Sequence, residues 1–355
     1  MGQSISSTQF FLYGKKHFTQ TGYLRHIQDY KDPVQKAAAI PLHHADADGT
    51  DLTEKVVVVT GANSGLGKEI ATYAAAKGAK VYMLCRSQER AVAAKEDMIQ
   101  HIATYDSSPS SSSSSSSLSS LRDRLHIVLV DVAELQQVRQ AVQQLQKQES
   151  KVDALVCNAG VLLNERKETS EGNEATFASH LLGGSYLLSQ LLLPQLKAAQ
   201  GRCIFVTSGG MYNFKLPSWN VLTSAPGEKY NGVNVYAYAK RAQVLLAERL
   251  KETEPKVQWV TVHPGWSDTP AVDEAFGDQK KYLHPLREPW QGAEGVTWLV
   301  GTKRENIQSG EFYLDRKTQP KHLAGPFFTE GRYTKNSKSD VDELMKNLKK
   351  AAGLE

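Results

Sequence analysis

Residues 55–68, KVVVVTGANSGLGK, restrict the fold more than any other stretch of the chain. Consecutive valines followed directly by a turn describe a strand buried on both faces, the situation of a strand inside a parallel sheet. The strand runs into a turn carrying Gly61, Gly65 and Gly67, and a periodic, alanine-rich segment continues to Lys77, with Gly78 placed as a helix C-cap. Strand, glycine turn and helix N-terminus in that order make an anion site. Glycines let backbone N–H groups approach a pyrophosphate, and the helix dipole favours its charge. A plain tight βα turn is the competing reading of these residues, but the flanking strand and helix favour the nucleotide site. The spacing Gly-x-x-x-Gly-x-Gly differs from the commoner Gly-x-Gly-x-x-Gly.

The alternation of strand and helix continues. Strand patterns fall at 79–85, 126–130, 154–157, 203–207, 257–262 and 311–314, and helical patterns near 88–102, 134–146, 174–193, 235–250 and 291–300. This order predicts an α/β doubly wound (Rossmann) fold: a seven-stranded parallel sheet with helices on both faces. We expect a single domain over 53–316, an N-terminal extension at 1–52 and a C-terminal tail at 317–355. The nearly all-serine tract 107–120 has no apolar area to bury and is expected as a disordered surface insertion. In the tail, Ser339 is the expected cap of a last helix, with Asp342 at its capping-box position and Val341, Leu344, Met345 and Leu348 on one face. Ligands of such sheets sit beyond the carboxyl ends of the strands. The unusual polar motifs lie there: Asp131-Val132, Asn158-Ala159-Gly160, Ser208 and His263-Pro264-Gly265.

A net charge of +4 is too small to draw nucleic acid by bulk electrostatics. Cys85, Cys157 and Cys203 fall in strand patterns and read as buried thiols of a reducing compartment, with no metal set implied. There is no spanning apolar run and no secretory signal pattern, so a cytoplasmic protein is expected. The opening residues Met1-Gly2-Gln3-Ser4-Ile5-Ser6 match an N-myristoylation pattern at Gly2. One acyl chain holds a membrane only marginally. Lys15, Lys16 and Arg25, interleaved with Phe10, Phe11, Tyr13 and Phe18, would supply a second signal for peripheral membrane contact. The competing reading is a terminal segment that packs its aromatics on the main domain.

Tyr236 and Lys240 lie four residues apart at the start of a helical pattern, so phenol and ammonium share one face. A free tyrosine, with a pKa near 10, is a poor proton shuttle at neutral pH, and a fixed cation beside it favours tyrosinate. An exposed amphipathic pair is the usual meaning of this spacing; Ser208 at the end of the fifth strand makes it specific.

Taken together, Thr60-Gly-x-x-x-Gly-x-Gly67, Asn158-Ala-Gly160, Ser208, Tyr236-x-x-x-Lys240 and Pro264-Gly265 resemble the short-chain dehydrogenase/reductase family across roughly 53–316. Arg86, His263-Pro264-Gly265 and the long gap between Ser208 and Tyr236 resemble its retinol-dehydrogenase-like branch. The resemblance implies Tyr236 as general acid/base, Lys240 on the nicotinamide ribose and Ser208 donating to the reacting carbonyl oxygen. It implies that Gly61, Asn63, Ser64, Gly65, Leu66 and Gly67 form the pyrophosphate turn. Asp131 and Val132, with Asn158, Ala159 and Gly160, would line the adenosine side; Pro264, Gly265 and Thr269 would hold the nicotinamide end. His180 stands where the family usually has a relay asparagine, and Cys157 replaces the first Asn of the usual Asn-Asn-Ala-Gly. Arg86, at the end of the second strand, favours NADP over NAD because it can accommodate the 2′-phosphate.

The implied activity is hydride exchange between NADP(H) and a hydrophobic alcohol or carbonyl compound. The alternative, to which His180 points, is an NADP-binding scaffold with little turnover. Substrate contacts are expected in 211–234 and 266–290, where Tyr212, Phe214, Trp219, Phe276 and Tyr282 form an apolar pocket or pack as a lid. Oligomeric state is left open.

Overall fold

The computed structural model describes residues 2–30, 50–106, 115–269, 272–273, 277–323 and 333–355. Two helices precede the sheet, α1 (Gly2–His17) and α2 (Gln20–His26). The valine run forms β1 (Val56–Thr60), buried at every position, and leads into α3 (Gly65–Ala76). Then follow β2 (Lys80–Cys85), α4 (Gln88–Asp106), α5 (Ser115–Arg124), β3 (Leu125–Leu129), α6 (Leu135–Gln148) and β4 (Ala154–Cys157). A long helix over 175–191, α7, is α-helical at its ends and π-helical over Ala178–Leu187. After α8 (Leu193–Ala198) come β5 (Arg202–Val206), α9 (Trp219–Leu222), α10 (Gly232–Thr253), β6 (Gln258–Val262), α11 (Pro289–Gly301), β7 (Phe312–Leu314), β8 (Lys317–Thr318) and α12 (Lys338–Ala351).

The sheet order is β3-β2-β1-β4-β5-β6-β7-β8. β1 pairs in parallel with both β2 and β4, Val57 facing Val81 on one side and Ala154 on the other. The chain therefore changes direction across the sheet between β1 and β4, the switch point at which such folds bind ligands. The doubly wound expectation holds, with one strand added. The two-residue β8 returns antiparallel to β7 through Asp315 and Arg316, both at positive φ (48° and 66°). Neither is glycine, and both side chains are held by ion pairs, with Arg287 and Glu294 respectively. Tertiary contacts thus maintain a turn that the local residues do not favour.

One apolar core lies between the sheet and α6, α7, α10 and α12, including Val58, Leu182, Leu246 and Leu348. The other lies under α3, α4 and α11, including Val57, Ile70, Met98 and Val296. A third cluster joins Phe18 of the N-terminal extension to Met211, Tyr212, Trp266, Leu286 and Phe312.

Three local expectations are corrected. Residues 115–120, expected as part of a disordered serine tract, open α5, whose Leu121 is buried in the second core; 107–114 lie outside the described residues. The last helix starts two residues earlier than expected: Ser337 is the N-cap and Asp340 completes the capping box, not Ser339 and Asp342. Leu344 and Leu348 do face the core. Phe10, Tyr13 and Phe18, expected to strengthen a membrane signal, pack on the main body instead; Phe11 stays exposed.

Candidate functional site

The carboxyl ends of β1 and β4 are tied by one hydroxyl. Thr60 Oγ1 accepts from the backbone N–H of Asn158 (2.9 Å) and of Ala159 (2.8 Å), and the Asn158 side-chain amide donates to Thr60 O (3.0 Å). From this fixed point the chain turns through Gly61 (φ +67°) and Gly65 (φ +50°), in the left-handed region where glycine carries no steric cost. A Cβ on Gly67 would lie 2.3 Å from Gly61 O, so backbone approaches backbone there as only glycine allows. Ser64 is the N-cap of α3, yet its hydroxyl makes no capping bond. Asn63, Ser64 and Gly65 are partly accessible, and Leu66 packs toward Gly292 of α11. Thr269 comes in from the segment after β6, its methyl 3.5 Å from the position a Gly65 Cβ would take. A glycine turn with two positive-φ residues leading into a helix N-terminus fits a pyrophosphate.

At the end of β2 the Arg86 guanidinium is largely exposed and stands 3.9 Å from the Asp131 carboxylate. Asp131 also accepts from the Ala133 N–H at 3.0 Å, which fixes its rotamer. Val132 is buried, and its carbonyl lies where a Cβ on Gly183 of α7 would be, 2.1 Å away. Gly160 is covered by the His180 ring; a Cβ there would fall 1.8 Å from His180 Cε1.

Asn231 caps α10 by accepting from the Asn234 N–H at 3.0 Å, so Tyr236 lies in the second turn. Lys240 Nζ donates to Val206 O of β5 at 2.7 Å and stands 5.5 Å from the centre of the Tyr236 ring. Thr207, the residue after β5, donates its Oγ1–H to Lys240 O at 2.9 Å, a second tie of α10 to that strand end. The Ser208 hydroxyl, which accepts from the Gly210 N–H at 3.2 Å, lies near enough to the Tyr236 phenol to favour its charged form. Ser208, Tyr236 and Lys240 therefore converge. Their electrostatics differ from expectation. Burial raises the Tyr236 phenol above its ordinary value against the opposing effect of Ser208, and burial pushes the Lys240 ammonium down to about 7. The expected lowering of the tyrosine by the lysine does not dominate, because Lys240 turns its ammonium to a β5 carbonyl and desolvation outweighs the rest.

His180 lies in the π-helical stretch of α7, a helical irregularity often found at functional sites. Its Nε2 bonds Val161 O at 2.8 Å and must donate, which assigns the ring as the Nε2–H tautomer. Its Nδ1 is buried without a hydrogen-bond partner among the described residues. Burial, and then the Lys240 charge, hold the imidazole well below its usual pKa, so it is neutral. The ring meets Tyr236 edge-on at 5.1 Å. The His180 carbonyl accepts from Ser185 Oγ (2.5 Å) and Gln243 Nε2 (2.9 Å).

The family profile described as short chain dehydrogenase matches residues 55–280. The chain is a short-chain dehydrogenase/reductase. It is 32% identical over 320 residues to dehydrogenase/reductase SDR family member 12 of Homo sapiens, covering 89% of this chain and 90% of that one. It is 33% identical over 277 residues to retinol dehydrogenase 14 of Mus musculus, covering 75% and 79%. These relatives place it in the retinol-dehydrogenase-like branch. Among solved structures, a putative uncharacterized protein of Mycobacterium paratuberculosis matches with a TM-score of 0.60 at 21% identity, covering 86% of this chain and 95% of that one. A putative short chain dehydrogenase of Escherichia coli, complexed with NADPH, matches at TM-score 0.54 and 20% identity, covering 74% and 96%.

Several features of this short-chain dehydrogenase/reductase escaped the sequence. Thr60 opens the glycine motif but its clamping of two strand ends is not legible there, and Gln243, which holds the His180 carbonyl, carries no signal beyond its residue type. His263 is buried with neither ring nitrogen partnered among the described residues, and burial pushes it down to about 3. Pro264 is partly accessible, whereas the Cβ side of Gly265 (φ +75°) is filled by Arg287, 2.1 Å from where a methyl would be. The aromatics expected around a substrate are mostly committed to packing. Tyr212 is fully buried with its hydroxyl on Pro320 O (2.6 Å), Phe214 packs edge-on to Tyr238, and Trp219 to Phe177. Tyr282 is exposed, and Phe276 lies outside the described residues. In their place, Phe10 and Phe18 of the extension lie on Gly209, beside Ser208. Among the described residues no helix is long and apolar enough to cross a membrane, and no cluster of His, Cys, Asp and Glu would hold a metal.

Proposed function

We propose that this chain is an NADP(H)-dependent oxidoreductase acting on hydrophobic alcohol/carbonyl substrates through Ser208, Tyr236 and Lys240. The observation that carries the proposal is Lys240 Nζ, tied to Val206 O at 2.7 Å and 5.5 Å from the centre of the Tyr236 ring, with Ser208 beside that phenol at the carboxyl end of the sheet. The nicotinamide supplies the hydride, and the protein supplies position and charge. With its pKa raised, Tyr236 is protonated at neutral pH, the form needed to donate to a carbonyl oxygen that gains negative charge. Ser208 orients that oxygen by a second O–H. Lys240 binds ribose hydroxyls and, while charged, opposes the negative charge left on the phenol. His180 offers Nδ1 as an acceptor to a water or hydroxyl, not a cation, so it substitutes for the relay asparagine only as a neutral group.

Gly61, Asn63, Ser64, Gly65, Leu66 and Gly67 would hold the pyrophosphate by backbone amides, and Asp131, Val132, Asn158, Ala159 and Gly160 the adenosine side. Pro264, Gly265 and Thr269 would hold the carboxamide end. Arg86, exposed and fixed only by a long contact to Asp131, is free to meet a 2′-phosphate, which supports NADP over NAD. NADPH consumption with a panel of aldehydes and ketones, run beside Tyr236→Phe, tests the reading. Turnover by the native chain and its loss in the variant supports it.

The scaffold reading is favoured by one observation, the buried Nδ1 of His180 with no partner among the described residues where a relay would run. Both proteins equally inert while still binding NADPH would establish it. We also propose peripheral membrane contact through the N-terminus, with Gly2 acylated and Phe11, Leu12 and Lys16 exposed on α1. Membrane partitioning that Gly2→Ala abolishes is the expected result.

A further inference from the structure

The N-terminal extension does more than cover a surface, because it meets the site at the residue next to Ser208. A Cβ on Gly209 would come within 2.6 Å of Phe18 Cε2 and 3.0 Å of Phe10 Cε2. Gly209 lies in the short 3₁₀ turn that Ser208 caps by accepting from the Gly210 N–H. Phe18 is fully buried and stands edge-on to His263 at 4.3 Å. Phe10 is only partly buried, edge-on to Trp266 at 6.2 Å, and Phe11 reaches the same indole at 6.1 Å. Trp266 is the residue after Pro264-Gly265, so α1 touches two of the loops that leave the carboxyl ends of the strands.

The placement is enforced. Trp266 N–H donates to Phe18 O at 2.8 Å. The Arg287 guanidinium donates to Phe18 O and to His17 O, both at 2.9 Å, and is itself paired with Asp315 at 2.5 Å. His26 bonds the same carboxylate at 2.7 Å. Gly14 lies against the Trp266 ring so closely that a Cβ would meet it at 2.4 Å. A terminal segment that merely shielded apolar area would not need a buried ion pair to fix its backbone carbonyls. Phe10 and Phe18 together fill the space over Gly209, so truncating the ring at position 10 opens space beside Ser208.

We infer that α1 forms one wall of the substrate chamber and that Phe10 is its specificity residue. The side chain at position 10 selects carbonyl compounds carrying a large apolar substituent, which lies against the Phe10 and Trp266 rings. This inference rests on the oxidoreductase reading of Ser208, Tyr236 and Lys240. The wall is aromatic, and none of Phe10, Phe11, Phe18 and Trp266 offers a charge. Lys15 Nζ stands 5.6 Å from the Phe11 ring centre but donates to His284 O at 2.8 Å, so a polar tail against Phe10 would lose hydration whereas an apolar one gains area.

The experiment uses the full chain, with Phe10→Ala and Phe10→Leu. Kinetics with NADPH compare propanal with decanal, and equilibrium binding uses the apolar fluorescent ketone 6-propionyl-2-(dimethylamino)naphthalene with NADP present. Phe10→Ala is expected to lower kcat/KM for decanal about tenfold, leaving propanal and the NADPH dissociation constant unchanged, with Phe10→Leu restoring much of the loss. It should weaken ketone binding by a similar factor, and Phe10→Leu should restore much of that binding. Equal effects of Phe10→Ala on both aldehydes, or unchanged ketone binding, overturn the inference. A native chain inert toward every aldehyde overturns the oxidoreductase reading instead, and the ketone-binding comparison still decides the wall.

Discussion

The glycine turn after β1 and the wall beside Ser208 lie at the same end of the sheet but are built by opposite means. At the turn, the needed features sit within a few consecutive residues: a buried strand, glycines at positive φ and a helix start. At the wall, the deciding contacts join residues far apart, such as Arg287 Nε to Phe18 O across 269 positions. The turn is a backbone device, and side-chain identity matters there mainly through its absence. The wall depends on one buried charge pair. Burial alone would raise the Asp315 carboxyl, but Arg287 and His26 hold it below the usual carboxylate range. The difference teaches that the glycine turn depends on backbone shape set within a few residues, whereas the wall hangs on distant partners that must coexist.

The largest expected effect sharpens the chemical centre between the two regions. Tyr236→Phe should lower kcat by roughly 10²- to 10⁴-fold while NADPH binding stays within about twofold, measured by steady-state kinetics and fluorescence titration. An equal loss of cofactor affinity would mean that the phenol serves binding instead.

Arg287→Met would break the wall by leaving the buried Asp315 carboxylate with His26 as its remaining side-chain partner. Denaturant unfolding should show a loss of about 3–5 kcal/mol, and limited proteolysis should cut earlier in residues 2–30. The double variant Arg287→Met, Asp315→Asn, which removes the charge and keeps a residue tolerated at the positive φ of position 315, should recover much of that loss; no recovery would show that the guanidinium's bonds to His17 O and Phe18 O matter more than the pair. In the native chain the depressed Asp315 contributes stability above its unfolded pKa, near pH 4, which is lost as pH falls through the folded value.

Arg86→Asp tests the nucleotide half alone. The NADPH dissociation constant should rise about 10- to 150-fold, as loss of a charge-assisted hydrogen bond of about 1.5–3 kcal/mol requires, with NADH much less affected. Equal weakening of both cofactors would remove the case for NADP preference.

A smaller effect concerns pH. Because burial places Lys240 at about 7 and raises Tyr236, the group that titrates first on going alkaline is the ammonium. For carbonyl reduction, kcat/KM should fall as pH rises above about 7; a profile flat well into the alkaline range would show that Lys240 keeps its charge in the working complex. The smallest change is remote from both regions: Ser337→Ala should cost about 1 kcal/mol by thermal unfolding through loss of the α12 cap.

Sequence legibility followed the same division. The doubly wound order was readable because each strand and helix advertises its burial over a short window, as Val56–Thr60 does. The convergence of Tyr236 and Lys240 was readable from helical spacing, and that of Ser208 from its place at a strand end. The direction of the tyrosine shift was not, since spacing says who is near and not how far water is excluded. The start of the last helix was missed by two residues because Ser337 and Ser339 offer the same local chemistry, and only the bond to the Asp340 N–H chooses between them.

By itself the sequence determined the sheet, the glycine turn and the identity of the groups at its rim, because these follow from periodicity and backbone freedom within a few residues. Only the tertiary structure decided that Phe10 and Phe18 press on Gly209, that Asp315 serves Arg287, and that Lys240 faces a carbonyl. Those are contacts between distant segments, fixed by which surfaces remain to be buried once the sheet has formed, and no local pattern encodes them.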